Sequence, residues 1–196
     1  MKKIFILVGL FMALGVSAQD INLPQPVKTG GMPLMEALSK RETTREFSQE
    51  PLSNQMLSNL LWAAWGFNRG DKRTAPSSQD KQELDLYVAI KSGAYKYDAK
   101  ANKLVLVNKE DVRNKMGKQD FVATAPLNII YVADKSKKGA PQTNSGFIAQ
   151  NVYLFCASEN LATVVRGWFD AQQVKEALKL GDNFEPVLTQ TVGKKK

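Results

Sequence analysis

Hydrophobic and polar positions follow two periods along this chain, and the changes of period divide it into elements. Leu57, Leu60, Leu61, Ala64 and Trp65 recur at helical spacing, which predicts a helix with Ser53 as N-cap and Gly66 as stop. Its two tryptophans read as core packing rather than ligand contacts. A short amphipathic segment from Pro33 to about Lys40 precedes it, and the polar loop "NRGDKRTAPSSQDKQ" follows. The period then falls to two: Leu84, Leu86, Val88 and Ile90 alternate with Asp85, Tyr87 and Ala89, which predicts a strand. "AYKYDAKANKLVLVN" predicts a hairpin turning through "DAKANK", and a short helix from about Lys109 to Met116 leads to the strongly apolar strand "APLNIIYVAD". The longest helix is "SGFIAQNVYLFCASEN", apolar at Phe147, Ile148, Val152, Phe155 and Cys156, with Asn160 able to end it in a left-handed conformation. "LATVVRGWFD" supplies a strand and turn, "AQQVKEALKL" a helix stopped at Gly181, and "EPVLTQTVGKKK" a closing strand. The order is α+β, with a hairpin breaking any regular βαβ alternation.

The first residues set the expected destination. "MKKIFILVGLFMALGVSAQD" has a Lys2-Lys3 start, an apolar run from Ile4 to Val16 and small residues at Ser17 and Ala18. The run is too short to span a membrane and suits a signal peptide over residues 1–18, cleaved near Ala18. No cysteine follows the cleavage point, so no lipid anchor is indicated and no stable membrane insertion is expected. The product is expected to be exported, periplasmic or secreted. Residues 19–32 form a Pro/Gly-rich arm, and 33–196 a single domain with a sizeable core. Loss of Lys2 and Lys3 lowers the net charge of +8 to +6, a solvated surface without the basic stripe of a nucleic-acid binder.

Absences narrow the chemistry further. There is no histidine and one cysteine, Cys156, so neither a zinc site nor a Ser-His-Asp or Cys-His nucleophile can be assembled. An intrachain disulfide is excluded as well. Cys156 lies on an apolar helix side and reads as a small buried hydrophobe. Any catalysis would rest on a bound cofactor.

Three polar segments are candidates to hold one. In "RETTREF", Arg41, Thr43 and Arg45 offer two guanidiniums and a hydroxyl, a set that satisfies a phosphate; a solvated helix lead-in has the same composition. In "RTAPSSQDKQ", Pro76 fixes a turn while Ser77, Ser78, Asp80 and Gln82 offer short polar groups that could read a heterocycle edge; an ordinary polar loop entering a strand reads alike. In "TVGKKK", Lys194 and Lys195 form either a frayed terminus or the completion of a phosphate site beside "RETTREF".

Together these segments resemble the nitroreductase family of FMN-dependent oxidoreductases, in particular a branch with a "PSSG"-like loop and a "Y-x-Y-D" hairpin. The family's "RRSxRxF" pattern corresponds to "RETTREF", its "LLWAAxG" to "LLWAAWG", and its "RTAPSSG…LELYV" to "RTAPSSQDKQELDLYV". "YKYD", "AQNVYLFCASENLATV", "GWFD" and "TVGKKK" follow in order. The resemblance implies an α/β sandwich, a mainly antiparallel central sheet flanked by helices, in an intertwined homodimer with two FMN sites lined by both subunits.

Carried over residue by residue, it implies cofactor-binding roles for Arg41, Thr43 and Arg45, with the arginines nearest the phosphate or pyrimidine end. Pro76, Ser77 and Ser78 form the accompanying loop, and Asp80 and Gln82 stand where the family places Asn and Gln beside the flavin. Gly167 falls where backbone N–H groups approach the ring, and Lys195, with Lys194 close behind, is the terminal phosphate contact. Departures are Glu42 for a basic residue, expected to point away from the phosphate, Asp80 for an amide, Gln79 for a small residue and Asn160 for a glycine. The implied activity passes hydride from NADH or NADPH through flavin N5 to a small-molecule electron acceptor, a nitroaromatic, quinone or similar, with ping-pong kinetics and no catalytic side chain. The alternative, favoured by Glu42 and Asp80, is an exported flavin- or small-ligand-binding protein that keeps the fold without turnover.

Overall fold

The computed structural model of this chain describes residues 19–196; the leader expected over 1–18 lies outside the described residues. Nine strands are described: β1 (Ile21–Asn22), β2 (Phe67–Arg69), β3 (Lys72–Arg73), β4 (Leu84–Ile90), β5 (Gly93–Asp98), β6 (Lys103–Asn108), β7 (Leu127–Asp134), β8 (Leu161–Arg166) and β9 (Phe184–Lys194). The helices are α1 (Leu34–Lys40), α2 (Asn54–Trp65), α3 (Phe121–Thr124), α4 (Pro141–Ser158) and α5 (Ala171–Ala177). Seven strands form one sheet in the order β1-β6-β5-β4-β7-β9-β8, with every pairing antiparallel.

Alternation along the strands sorts side chains onto two cores. From β4 and β7, Leu84, Leu86, Val88, Leu127, Ile129 and Tyr131 face one side, where Leu57, Leu60 and Leu61 of α2 and Ile148 and Val152 of α4 cover them. Tyr87, Ala89, Ile130 and Val132 face the other, under Val122 of α3, Val174 of α5 and Met116. β7 is central and covered on both faces, which explains its nearly continuous apolar run. The result is the helix-flanked, mostly antiparallel α+β sandwich expected.

Local chemistry sets the helix ends. The Ser53 hydroxyl accepts from Met56 N at 3.2 Å and caps α2. Gly66 ends it, but with φ −72°, so the reason is space and not handedness: a Cβ there would lie 2.3 Å from Trp62 Cδ1. Asn160 follows α4 at φ +53°, the left-handed conformation anticipated.

Several elements differ from the sequence expectation. α4 begins at Pro141, a turn before Ser145, because a proline at N1 lacks only an N–H the first turn would leave unpaired. Phe147 points out of the core, 44% exposed. The helix expected from Lys109 to Met116 is only a single 3-10 turn, Arg113–Lys115, while α3 forms just after it. The polar loop after α2 contains the β2–β3 hairpin. α5 stops before Gly181: Lys179 takes the left-handed position, φ +53°, and Leu180 N–H reaches Lys175 O at 2.9 Å.

Candidate functional site

Residues 41–48 run without helix between α1 and α2 and cross the free edge of β8. Thr44 N–H donates to Thr163 O at 3.0 Å, Ser48 N–H donates to Lys194 O at 2.9 Å, and Phe47 bridges Lys195. The spare carbonyl of Thr163 on edge strand β8, and the end of β9 at Lys194 and Lys195, fasten "RETTREF" to this corner. Of the two readings the sequence left open for "TVGKKK", a frayed terminus or a segment beside "RETTREF", the second holds.

Tyr153 of α4, which the sequence reading passed over, organises this corner. Its ring lies 5.3 Å from the Arg41 guanidinium, and its hydroxyl meets Thr43 Oγ1 at 3.0 Å and accepts from Val165 N at 3.1 Å. Either hydroxyl can donate in the Tyr153–Thr43 bond, and when the phenol donates the threonine proton is open to a ligand. Arg41, Glu42, Tyr153, Thr163 and Lys195 line a recess of about 310 Å³. Arg45 lies in an adjoining recess of about 630 Å³ with Phe47, Phe121 and Thr124, and Lys195 lines both.

The charges are partly committed. Lys195 Nζ pairs with Glu42 Oε1 at 2.8 Å, and Lys194 pairs with Glu50. Glu42 therefore does not turn away from the basic cluster: the hydrogen bond and charge of Lys195 hold its carboxyl below the usual range, Arg41 adding to the effect. Arg41 and Arg45 have no carboxylate partner within ion-pair distance among the described residues, so they are the cations open to an anion.

The loop after β3 is a second polar centre. Gln79, Asp80 and Gln82 take φ of +52°, +54° and +46°, a concentration of left-handed backbone that side-chain bonds must hold. Ser77 Oγ accepts from Gln82 N at 3.0 Å; Gln82 Oε1 accepts from Arg73 Nε at 3.0 Å, and its amide donates to Asp71 O and Asp80 Oδ1. Asp80 is paired with Lys72, whose hydrogen bond lowers its carboxyl below the ordinary value. Ser78 N and Oγ donate to Asn144 Oδ1 near the start of α4, and Pro76 leads into the turn.

The structure brings Arg41, Thr43 and Lys195 together, sets Arg45 in the adjoining recess, turns Lys194 to Glu50, and separately groups Pro76, Ser77, Ser78, Asp80 and Gln82. Asn144 and Tyr153 mark the two centres on α4, nine residues or roughly 14 Å apart along the helix. Gly167 joins neither: β8 pairs Leu161 with Lys194 and Arg166 with Thr189, so Gly167 follows the strand end away from the lysines. A Cβ at Gly167 would meet nothing within 4 Å, so this backbone is open to approach. Beside it, Arg166 is buried, donating to Met116 O and Asn128 Oδ1 at 3.0 Å each. Burial pushes its guanidinium down to about 10, still cationic at neutral pH. Cys156 is buried, and burial raises its thiol well above the normal range, which removes it from thiolate chemistry.

Sequence reasoning missed Tyr153, Asn144 and the buried Glu83, whose Oε1 accepts from Asn144 Nδ2 at 2.6 Å, because the partners that give them their roles are brought together only by the fold. The signal available was limited to polar groups interrupting the apolar pattern of α4 and the start of β4.

Residues 38–194 match the family model described as the nitroreductase family. A protein named as a nitroreductase from Methanocaldococcus jannaschii is 33% identical over 183 residues, spanning 83% of this chain and 91% of that protein. Among solved structures, one named as a nitroreductase from Ralstonia eutropha superposes with a TM-score of 0.86 at 44% identity, covering 94% of this chain and 93% of that one. An FMN-dependent nitroreductase from Clostridium difficile shares the fold, with a TM-score of 0.61 at 18% identity over 83% and 87% of the two chains.

Proposed function

The chain belongs to the nitroreductase family, and from that premise we propose that it is an FMN-dependent oxidoreductase. Hydride would pass from NADH or NADPH to a small-molecule acceptor, a nitroaromatic, quinone or similar, with both substrates using one pocket in turn. The observation that carries this reading is the placement of Arg41 and Arg45 in two adjoining recesses by the edge of β8, with Lys195 lining both and Thr43 joined to Tyr153 beside Arg41. Two arginines without carboxylate partners among the described residues, with a threonine hydroxyl near Arg41, fit a phosphate monoester dianion.

FMN, when bound, supplies the two-electron chemistry for which this chain has no histidine or reactive thiol. The protein's share is binding and orientation. Arg41 and Arg45 neutralise the phosphate, Thr43 donates to it, and Lys195 contributes where Glu42 releases it. Asp80 and Gln82 offer polar groups to a ring edge, and the open backbone at Gly167 allows close approach of a flat ligand.

The separation of these centres within one chain supports a homodimer in which each site takes residues from both copies. Leu34, Met35 and Leu38 of α1, with Phe147 of the adjacent α4, are large exposed apolar residues that a second copy would cover. The leader sequence supports export, with FMN acquired outside the cytoplasm and the electron donor met there.

The test is the visible spectrum of the chain from Gln19 onward, after incubation with FMN and desalting. A retained flavin band that bleaches with NADH or NADPH and recovers with an acceptor is the expected result. A retained band that neither donor bleaches would favour a binding role without turnover, and no retained band would refute the cofactor assignment.

A further inference from the structure

Glu83 is the only fully buried carboxylate among the described residues, 1% exposed at the entry to β4. Its Oε1 accepts from Asn144 Nδ2 at 2.6 Å, while Oε2 has no partner. Gly139 closes over it: a Cβ at that position would sit 2.3 Å from the carboxyl carbon. Buried carboxylates are costly and are seldom kept without a task.

The task is legible in Asn144, which is itself fully buried. Asn144 Nδ2 donates to Glu83 Oε1, so the amide turns its NH₂ toward Glu83. Its oxygen then faces the loop, where Ser78 N and Ser78 Oγ both donate to it, at 3.3 and 3.4 Å. The turn that follows holds the three left-handed residues Gln79, Asp80 and Gln82, a conformation that persists only when surroundings over-determine it. Lys137 adds a bond to Gln82 O at 2.9 Å from the same segment as Gly139.

We propose that Glu83 is a positioning residue for the cofactor loop: by fixing the orientation of the Asn144 amide it fixes Ser78, and with it the turn that presents Asp80 and Gln82. This rests on the reading of residues 76–82 as the flavin-facing loop. Glu83 touches no ligand itself; it acts through Asn144.

The test reverses the pair. Asn144→Asp sets two carboxylates face to face. Glu83→Gln combined with Asn144→Asp restores one donor, now on residue 83, and leaves a carboxylate oxygen at position 144 for Ser78. Titration of the apo-protein with FMN, followed by flavin fluorescence, is expected to show binding weakened about tenfold in the single variant and restored to within about threefold in the double. Amides 78–82 should exchange with deuterium faster in the single variant and at the wild-type rate in the double. The visible circular dichroism of flavin at saturation should follow the same order, a signature that a purely structural contribution to stability would not move. Wild-type affinity in Asn144→Asp, or a double variant as weak as the single, overturns the proposal. If Asn144→Asp does not fold, Asn144→Ser removes the bridge without adding charge, and the same tenfold loss or its absence decides. If the wild-type chain binds no FMN, the cofactor reading fails, and exchange at 78–82 alone decides whether Glu83 and Asn144 hold the loop.

Discussion

Glu42 and Lys195 are 153 positions apart in sequence and joined by a 2.8 Å ion pair beside Arg41. The pair places a carboxylate on the lysine that would otherwise meet a bound phosphate. An anion arriving at Arg41 must therefore either share Lys195 with Glu42 or displace it.

Glu42→Gln is expected to tighten FMN binding by roughly threefold, because an exposed ion pair is a weak competitor and its removal also takes away a like charge. Equilibrium titration with FMN at two ionic strengths checks this, and the gain should shrink as salt rises. Weaker binding in this variant would mean that Glu42 helps to shape the site.

The closing strand and the arginine turn can be read separately in the sequence, but not their contact. The alternation of β4, the apolar run of β7, the cap at Ser53 and the left-handed Asn160 are local properties, and local rules find them. What escapes is set by tertiary structure. Tyr153 matters because Val165 and Thr43 converge on its hydroxyl, and Phe147 is apolar but faces outward. The expectation that Glu42 avoids the basic cluster considers only the phosphate, not the lysine at the far end of the chain. The family pattern supplies the grouping that periodicity cannot, and it misses the Glu83–Asn144 link because Asn144 lies outside the motifs and nothing in them joins Glu83 to α4.

Lys179→Gly should stabilise the protein by about 0.5–1 kcal/mol. Lys179 N–H bonds Glu176 O and Leu180 N–H bonds Lys175 O, a closing arrangement that needs a left-handed residue at position 179. Relief of Cβ strain there is worth about 1–2 kcal/mol, offset by the greater freedom of glycine in the unfolded chain. Urea unfolding should show a higher midpoint with an unchanged slope; a lower midpoint would show that the Lys179 side chain contributes more than its backbone costs.

Tyr87 and Tyr97 carry a pH dependence into the alkaline range. Burial pushes both phenols up to about 12 from an ordinary value of 10.0. A raised folded-state value means that their contribution to stability is complete below pH 10 and is lost as the pH climbs through 12. Urea midpoints should therefore fall between pH 10 and 12, and Tyr87→Phe and Tyr97→Phe should each make that fall shallower. A tyrosinate absorbance titration of the folded protein that is complete near pH 10 would contradict the assignment.

Arg41 and Tyr153 separate binding from support. Arg41 has no carboxylate partner among the described residues and lies over the tyrosine ring, so Arg41→Ala removes a charge-assisted contact to the proposed phosphate and should weaken FMN binding by roughly ten- to a hundredfold, with little change in folding. Tyr153→Phe keeps the ring under Arg41 but deletes the hydroxyl that accepts from Val165 N and meets Thr43. The orphaned amide should cost about 1–3 kcal/mol of stability, while FMN binding should fall by less than in Arg41→Ala, since the guanidinium stays in place. Paired measurements of flavin affinity and urea midpoint on the two variants decide the matter: a large affinity loss with a small stability loss is expected for Arg41, and the opposite balance for Tyr153. Full flavin retention in Arg41→Ala would move the phosphate site away from this recess, most simply to the neighbouring one that Arg45 lines with Lys195.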